Sequence, residues 1–440
     1  NMRKVGLVFV LLAAVGTIAQ AQMEFFDIDY NIMGTGARAR GMGGAFIGVA
    51  DDATAVGWNP AGLAQLDKPE ASVVGLFNMK KFTGEGAWTF PDYPEWNETY
   101  DWDLSVSHIA PAFASFILPT KIAANNLVFA IAYQRMIDMG SGEEGDSEYE
   151  GSTDTLRYKY ETKTTGGIDA ISPAIAIQLN PQIMVGAAAN ILINGYKYEY
   201  SETFPDYPTA IREYTMESDI SGFNMNLGFL GTFNKMNIGA MFRLPFTFTE
   251  EPSASESWDL TGTGFVSPID GSTTGSISES YSEVEVTMPF MFGFGVALKP
   301  TDKLTLAADF ERRAYSSSEY TSEGYTMDAG LKDCNQFRVG MEYIITGSTG
   351  VFPIRLGFRT DPRVYTGFYD DGTDTSQVVG KVLTGGFGLV MGKIMFDIAY
   401  EYTMANHEDV KYNDPSGFYS YTGKVDEKSH NIMASCIVHF

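Results

Sequence analysis

The sequence predicts an all-β fold, a 14-stranded antiparallel transmembrane β-barrel with an N-terminal hatch or plug segment. Three observations predict it. From about residue 71 onward the chain breaks into 14 segments in which apolar and polar residues alternate with period two. The connections between these segments alternate between long polar stretches and tight turns. The N-terminus reads as an export leader, and no later apolar run reaches the roughly 20 residues of a membrane helix. An even number of strands, long outer loops and short periplasmic turns together make the layout of a bacterial outer-membrane barrel.

Taken in order, residues 1–21 form the leader. Arg3 and Lys4 precede an apolar run from Val5 to Ile18, and Ala19-Gln20-Ala21 places cleavage before Gln22. Residues 22–70 do not read as a strand. They include Gly34–Asp52, rich in small residues, and run on into Trp58-Asn59-Pro60-Ala61-Gly62-Leu63. Small residues permit close backbone packing and unusual dihedrals. A compact segment ahead of the first strand has room in the lumen, because 14 strands enclose more space than the eight whose side chains fill a barrel.

Residues 71–440 form the barrel. Its strands are expected at about 71–83, 104–118, 126–137, 167–179, 182–197, 220–233, 236–249, 284–298, 303–315, 335–346, 351–360, 380–390, 393–404 and 429–440. In Asn237–Thr249, Ile238, Ala240, Phe242, Leu244, Phe246 and Phe248 share one face, opposite Gly239, Met241 and Arg243. In Lys393–Tyr402, Ile394, Phe396, Ile398, Tyr400 and Tyr402 oppose Asp397, Ala399 and Glu401. The long connections are 84–103, 138–166, 198–219, 250–283, 316–334, 361–379 and 405–428, and they carry much of the acidic excess. The chain ends on alternating apolar residues, Ile432, Ala434, Cys436, Val438 and Phe440, like the terminal strand by which such barrels are recognised for assembly. Cys334 and Cys436 lie at opposite depths, which argues against a disulfide, since bridged Cα atoms come within about 7 Å.

The composition narrows the function. Against 30 Lys+Arg stand 55 Asp+Glu, a net charge of −25. Nucleic acid is excluded as a partner, because phosphate binding needs a basic surface. Two Cys and four scattered His (His108, His407, His430, His439) suggest no metal site. Counts alone leave a Ser-His-Asp hydrolase open, but no G-x-S-x-G elbow surrounds any Ser. No enzyme activity and no cofactor are expected.

Here the residues resemble a known family. Ala39–Asp52 followed by Asn59-Pro60-Ala61 is similar to the hatch of FadL-type long-chain fatty acid transporters. The resemblance continues through Asn237–Pro245, Met288–Asp309 and Pro353–Phe358. It implies a monomeric barrel in the Gram-negative outer membrane, in contact with its lipid and lipopolysaccharide. Such a barrel imports hydrophobic compounds or lipids by passive diffusion through a hatch-gated lumen with a lateral exit. Gly41, Gly43, Gly44, Asn59, Pro60 and Ala61 are the residues expected to shape the hatch. The same pattern also resembles PorV-type barrels of type IX secretion, which bind a secretion-system protein partner and import no lipid. A purely structural or adhesive barrel is a third reading.

The remaining candidates each carry two readings. Pro111, inside the second strand, is a possible wall gap, since proline removes a ladder bond, or an ordinary kink. Trp88, Phe90, Tyr93, Trp96, Tyr100 and Trp102 crowd the first loop as a ligand-capturing surface or as an aromatic girdle. Phe46, Trp58, Trp88, Trp96 and Arg243 are the ligand-binding candidates. Arg243, Arg338, Arg355, Arg359 and Lys393 face Asp309, Glu311, Glu342, Asp397 and Glu401 as a luminal ion-pair network, one arginine of which is open to a ligand carboxylate. Asp51-Asp52 and the acidic loops read as solvated surface charge, with calcium binding as the rival. Phe-Pro-Asp-Tyr-Pro occurs at Phe90–Pro94 and Phe204–Pro208, read either as two rigid turns packing together as a lid or as a chance similarity of Pro-Asp turns.

Overall fold

The computed structural model describes residues 32–440 except 95–96, 123–124, 151–154, 265, 268, 349, 365–376 and 414–417. The leader at 1–21, residues 22–31 and Trp96 therefore lie outside the described residues. Among the described residues, 21 ladder segments merge end to end into 14 staves. The first six are β1 (Glu70–Thr89), β2 (Glu98–Ile122), β3 (Asn125–Asp138) with β4 (Ser141–Glu150), β5 (Thr155–Gln178), β6 (Ile183–Ile193) with β7 (Gly195–Thr203), and β8 (Ile211–Phe233). The next three are β9 (Met236–Arg243) with β10 (Phe246–Asp259), then β11 (Thr274–Ser280), β12 (Val284–Met288) and β13 (Met291–Thr301), then β14 (Leu304–Arg313) with β15 (Glu319–Ser322). The last five are β16 (Tyr325–Asp328) with β17 (Cys334–Thr346), β18 (Val351–Pro362), β19 (Val379–Met391), β20 (Ile394–Asn413) and β21 (Ser420–His439).

Each stave pairs antiparallel with the next, and β21 returns to β1 from Glu70↔His439 to Thr89↔Ser420. Closure matters physically. In lipid an open sheet would leave two full edges of unpaired N–H and C=O groups, which joining the last stave to the first removes. Residues facing outward are apolar and exposed, among them Val73, Phe77, Ile109, Ile131, Phe229, Ile354 and Ile398. That band is the lipid contact, and the fourteen strands expected from the sequence are all present.

Two features differ from expectation. The strands run far past the apolar alternation: the stretch assigned to the first long loop, 84–103, is ladder except between β1 and β2 at 90–97. The same holds for much of 138–166, 198–219, 250–283 and 405–428. Above the membrane both faces of a hairpin meet water. Ser, Thr, Tyr and Glu there keep the ladder while erasing the period-two signal. The second difference lies at Leu244-Pro245, which separates β9 from β10. Ile238 faces out, as expected, but Phe246 and Phe248 are buried in the lumen. The interruption at proline shifts the alternation by one residue, and a one-residue slip exchanges faces.

Candidate functional site

Residues 32–69 lie inside the ring and touch its wall on all sides. The helix Ala37–Gly41 packs against β18, β19, β20 and β21, and the 3-10 turn Pro60–Gln65 against β3, β5, β6 and β8. Between them, Ile47 and Gly48 meet β9 and β13 at Gly239 and Gly295. The helix forms because Ala-Arg-Ala-Arg is a strong helical run, and Gly43 and Gly44, at φ +70° and +77°, turn the chain back. Asn59 starts the 3-10 turn: its Oδ1 accepts from Ala61 N at 3.2 Å, with Pro60 in the first position. Its Nδ2 donates to Ile47 O at 2.9 Å and to Phe229 O on β8 at 3.0 Å, tying two plug turns to the wall.

The plug approaches the wall backbone to backbone. Gly186 meets Pro60, Gly228 meets Asn59, Gly340 meets Met42, Gly357 meets Gly43 and Gly386 meets Gly41. At each of the first four barrel positions a β-carbon would overlap plug atoms. Charge completes the seat. Arg38 donates to Glu342 of β17 at 2.9 and 3.0 Å and also pairs with Asp51. Arg40 donates to Glu401 of β20 at 2.6 Å. Wall arginines share these carboxylates, Arg355 with Glu342 at 2.7 Å and Arg359 with Glu401 at 2.6 Å. Asp309 accepts the Phe46 and Ile47 amides at 2.7 and 2.8 Å, and Thr384 bonds both Gly43 N and Gly41 O. Burial pushes the Asp52 carboxyl above the usual carboxylate range, against the pull of Arg38 at 3.7 Å. Asp52 is thus an internal partner of the plug and not the solvated surface charge expected.

One side of the plug borders an apolar luminal layer of Met136, Met139, Ile168, Leu192, Phe246, Phe248, Met288 and Met291. Beside it lies a cavity of about 130 Å³. Its lining mixes Met33, Leu76 and Met136 with Arg40, Arg135, Arg359, Arg363, Asp138, Asp361 and Glu427. The cavity also reaches His108 and Ala112, where the wall changes. β2 pairs with β3 only from Phe113 to Ile122, and among the described residues no ladder joins its outer part, Glu98–Ala112, to β3 or β4. At the same height the β1–β2 register slips between Val74 and Gly75, opposite Phe113 and Pro111. Pro111 thus stands at the break. Beside it Ile109, 81% exposed, faces the lipid.

The residues singled out from sequence distribute unevenly. Gly41, Gly43, Gly44, Asn59, Pro60 and Ala61 all lie in the plug, against the wall or against Trp58. Phe46 and Trp58 form the plug's own core, ring centroids 6.3 Å apart, with Trp58 Nε1 donating to Thr35 O at 2.7 Å and the Arg338 guanidinium over its ring. Neither lines the cavity. Arg243 is buried, donates to Asn226 at 3.0 Å and lines a void of about 10 Å³ next to Gln134 and Asn190. Trp88 sits at the outer end of β1 on Tyr419 and Tyr421, centroids 5.4 and 4.9 Å away. The twin Phe-Pro-Asp-Tyr-Pro turns pack apart: Phe90 on Phe418 and Tyr419, Phe204 in a cluster with Trp258. Lys393 is exposed at a turn, outside the luminal ion pairs. Sequence reasoning passed over Arg38 and Arg40. Two guanidiniums in a small-residue segment bound for a lumen whose strands carry Glu342 and Glu401 were the available signal.

A closed barrel with a lipid-facing band, an internal plug and a lumen that carries an apolar layer beside its ion pairs defines a class: an outer-membrane transport barrel. The family model for outer membrane protein transport protein (OMPP1/FadL/TodX) matches residues 12–436, and the chain belongs to that family of hydrophobic-compound transporters of the Gram-negative outer membrane. A FadL homologue of Pseudomonas aeruginosa is similar in fold, with 14% identity, 93% of this chain and 99% of that chain covered, and a TM-score of 0.60. The toluene transporter TodX of P. putida gives 12% identity, 93% and 99% coverage and 0.54. CymD, a monoaromatic hydrocarbon channel, gives 14%, 91% and 98%, and 0.51. None of the curated proteins matches the chain.

Proposed function

We propose that this barrel imports fatty-acid-like amphiphiles, an apolar tail with an anionic head, by passive diffusion, with the plug as gate and the unpaired β2–β3 seam as lateral exit. The observation that carries the reading is the position of the cavity, between plug, apolar layer and seam. Moving a tail into the apolar layer gains about 0.8 kcal/mol per methylene, and its methionines reshape easily around different tails. A cavity of about 130 Å³ is near the 150 Å³ that accommodates a benzene ring, so at rest it takes a head or a ring and not a whole chain. Its four arginines each hold a protein carboxylate, and a carboxylate head gains charge-assisted bonds by sharing them, as Glu401 shares Arg40 with Arg359. A pure hydrocarbon has nothing to offer that lining. This favours a carboxylated cargo over the toluene and monoaromatic hydrocarbons named for the similar structures.

The test is uptake of radiolabelled laurate and toluene in cells lacking other importers. Saturable laurate uptake that toluene does not compete supports the reading, and toluene uptake with laurate excluded overturns it. Native mass spectrometry of gently extracted barrel adds a second arm: a bound secreted protein over an empty lumen moves the assignment to a PorV-like role. The gate has its own prediction. Replacing Asn59-Pro60-Ala61, or deleting 22–48, abolishes gated uptake while the barrel still assembles. Asn59→Ala alone strips partners from two carbonyls, Ile47 O and Phe229 O, and costs the seated plug about 1–3 kcal/mol. Unchanged uptake by all three variants removes the plug from the mechanism.

A further inference from the structure

We infer that His108 and Asp138 form a latch across the β2–β3 seam that sets the rate of lateral release, an inference that rests on the seam being the exit. His108 stands on β2 three residues before Pro111, paired in register with Asn78 of β1, and lines the cavity. Asp138 is the last residue of β3. Their strands share no ladder at this height, yet His108 Nε2 is hydrogen-bonded to the Asp138 carboxylate. Gly140 makes room for the ring, since a β-carbon there would overlap the imidazole.

Asp138 is held from the far side. Arg135 donates to it at 3.3 Å and is itself locked to Asp169 of β5 at 2.9 and 3.1 Å. Asn194 adds a further bond to Asp169 at 2.9 Å. A side-chain strap, β2 to β3 to β5, thus replaces the backbone bonds missing from the seam. A ladder breaks only when several backbone groups lose partners together, whereas this strap parts at one imidazole–carboxylate contact.

The same imidazole couples the latch to cargo. Its second nitrogen, Nδ1, is buried without a hydrogen-bond partner in the lining of the cavity. An anionic head that accepts a hydrogen from Nδ1 draws the neutral imidazole into the tautomer that leaves Nε2 without the hydrogen Asp138 accepts, and the head competes with Asp138 for Arg135 as well. Head binding and seam opening then become one event.

The experiment places cysteines at 108 and 138 in a chain whose Cys334 and Cys436 are serine, and bridges them with a short, reducible thiol cross-linker. Laurate uptake should fall at least tenfold on bridging and return on reduction, while native mass spectrometry still finds laurate bound. His108→Ala should speed uptake severalfold, and His108→Gln, whose amide reaches Asp138 from a similar distance, should restore the wild-type rate. Undiminished uptake by the bridged barrel overturns the latch while leaving transport intact. No laurate uptake by the parent chain overturns the transport reading and the latch with it.

Discussion

A leucine at Gly357 should unseat the plug while leaving the barrel closed. Gly357 sits on β18, flanked by Gly340 and Thr384 in the ladder, and those backbone bonds do not depend on its side chain. Inward, however, any β-carbon overlaps the Gly43 amide and the Met42 carbonyl carbon. The plug has little freedom to retreat there. Gly43 holds a positive φ and donates to Thr384 Oγ1 at 2.9 Å. Overpacking of this kind costs about 1–3 kcal/mol, and the upper end shifts the seated population by about 100-fold. In planar bilayers the variant should show frequent large openings, and residues 32–69 should become cleavable by added protease. A quiet channel with the plug still protected would remove backbone contact from the account of how the plug is held.

Glu401→Ala should be the most damaging single change among the luminal ion pairs. It leaves two guanidiniums, partly buried Arg40 of the plug and buried Arg359 of β18, without the carboxylate that both bind. Removing one partner of a buried pair costs about 3–5 kcal/mol, because the remaining charge is desolvated and uncompensated. Arg40→Ala alone should be much milder, since Glu401 keeps Arg359. In the Glu401→Ala background the same Arg40→Ala change should be neutral or restoring, and the coupling follows from the double-mutant cycle. Urea titration read by the heat-modified band shift on cold gels measures all three. Additive losses would show that plug and wall arginines do not share this carboxylate in solution.

The barrel was legible in the sequence because lipid on one side and a mixed lumen on the other impose period two, as in β20, where Ile394, Phe396 and Ile398 face out and Asp397 and Glu401 face in. Legibility ended where the environment became the same on both faces. The outer extensions β4 and β11 are mostly Ser, Gly and acidic residues and carry no apolar alternation to read. Pro245 hid the luminal Phe246 and Phe248, because nothing local announces that the register slips there. Of the site, the glycines and Asn59-Pro60-Ala61 were readable as a compact small-residue segment. Their partners were not. Asp309, Thr384 and the glycines of β17, β18 and β19 lie hundreds of positions away, and only the closed ring brings them to the plug.

The way the plug is gripped also dictates an order of events during biogenesis. Its helix packs against the last staves in the chain, β18 to β21, and its 3-10 turn against early ones, β3, β5, β6 and β8. On the short side of the ring β1 and β2 separate those two groups, and closure comes where β21 joins β1. Threading a folded plug into a finished cylinder would mean carrying Arg40 without Glu401, and Arg38 with its plug partner Asp51 but without Glu342, past an apolar layer. Closing the cylinder around a plug already resting on its early staves avoids that cost. Along that order Arg40 meets Glu401 only once β20 is in place, so the contact that seats the plug also registers that the late staves have arrived.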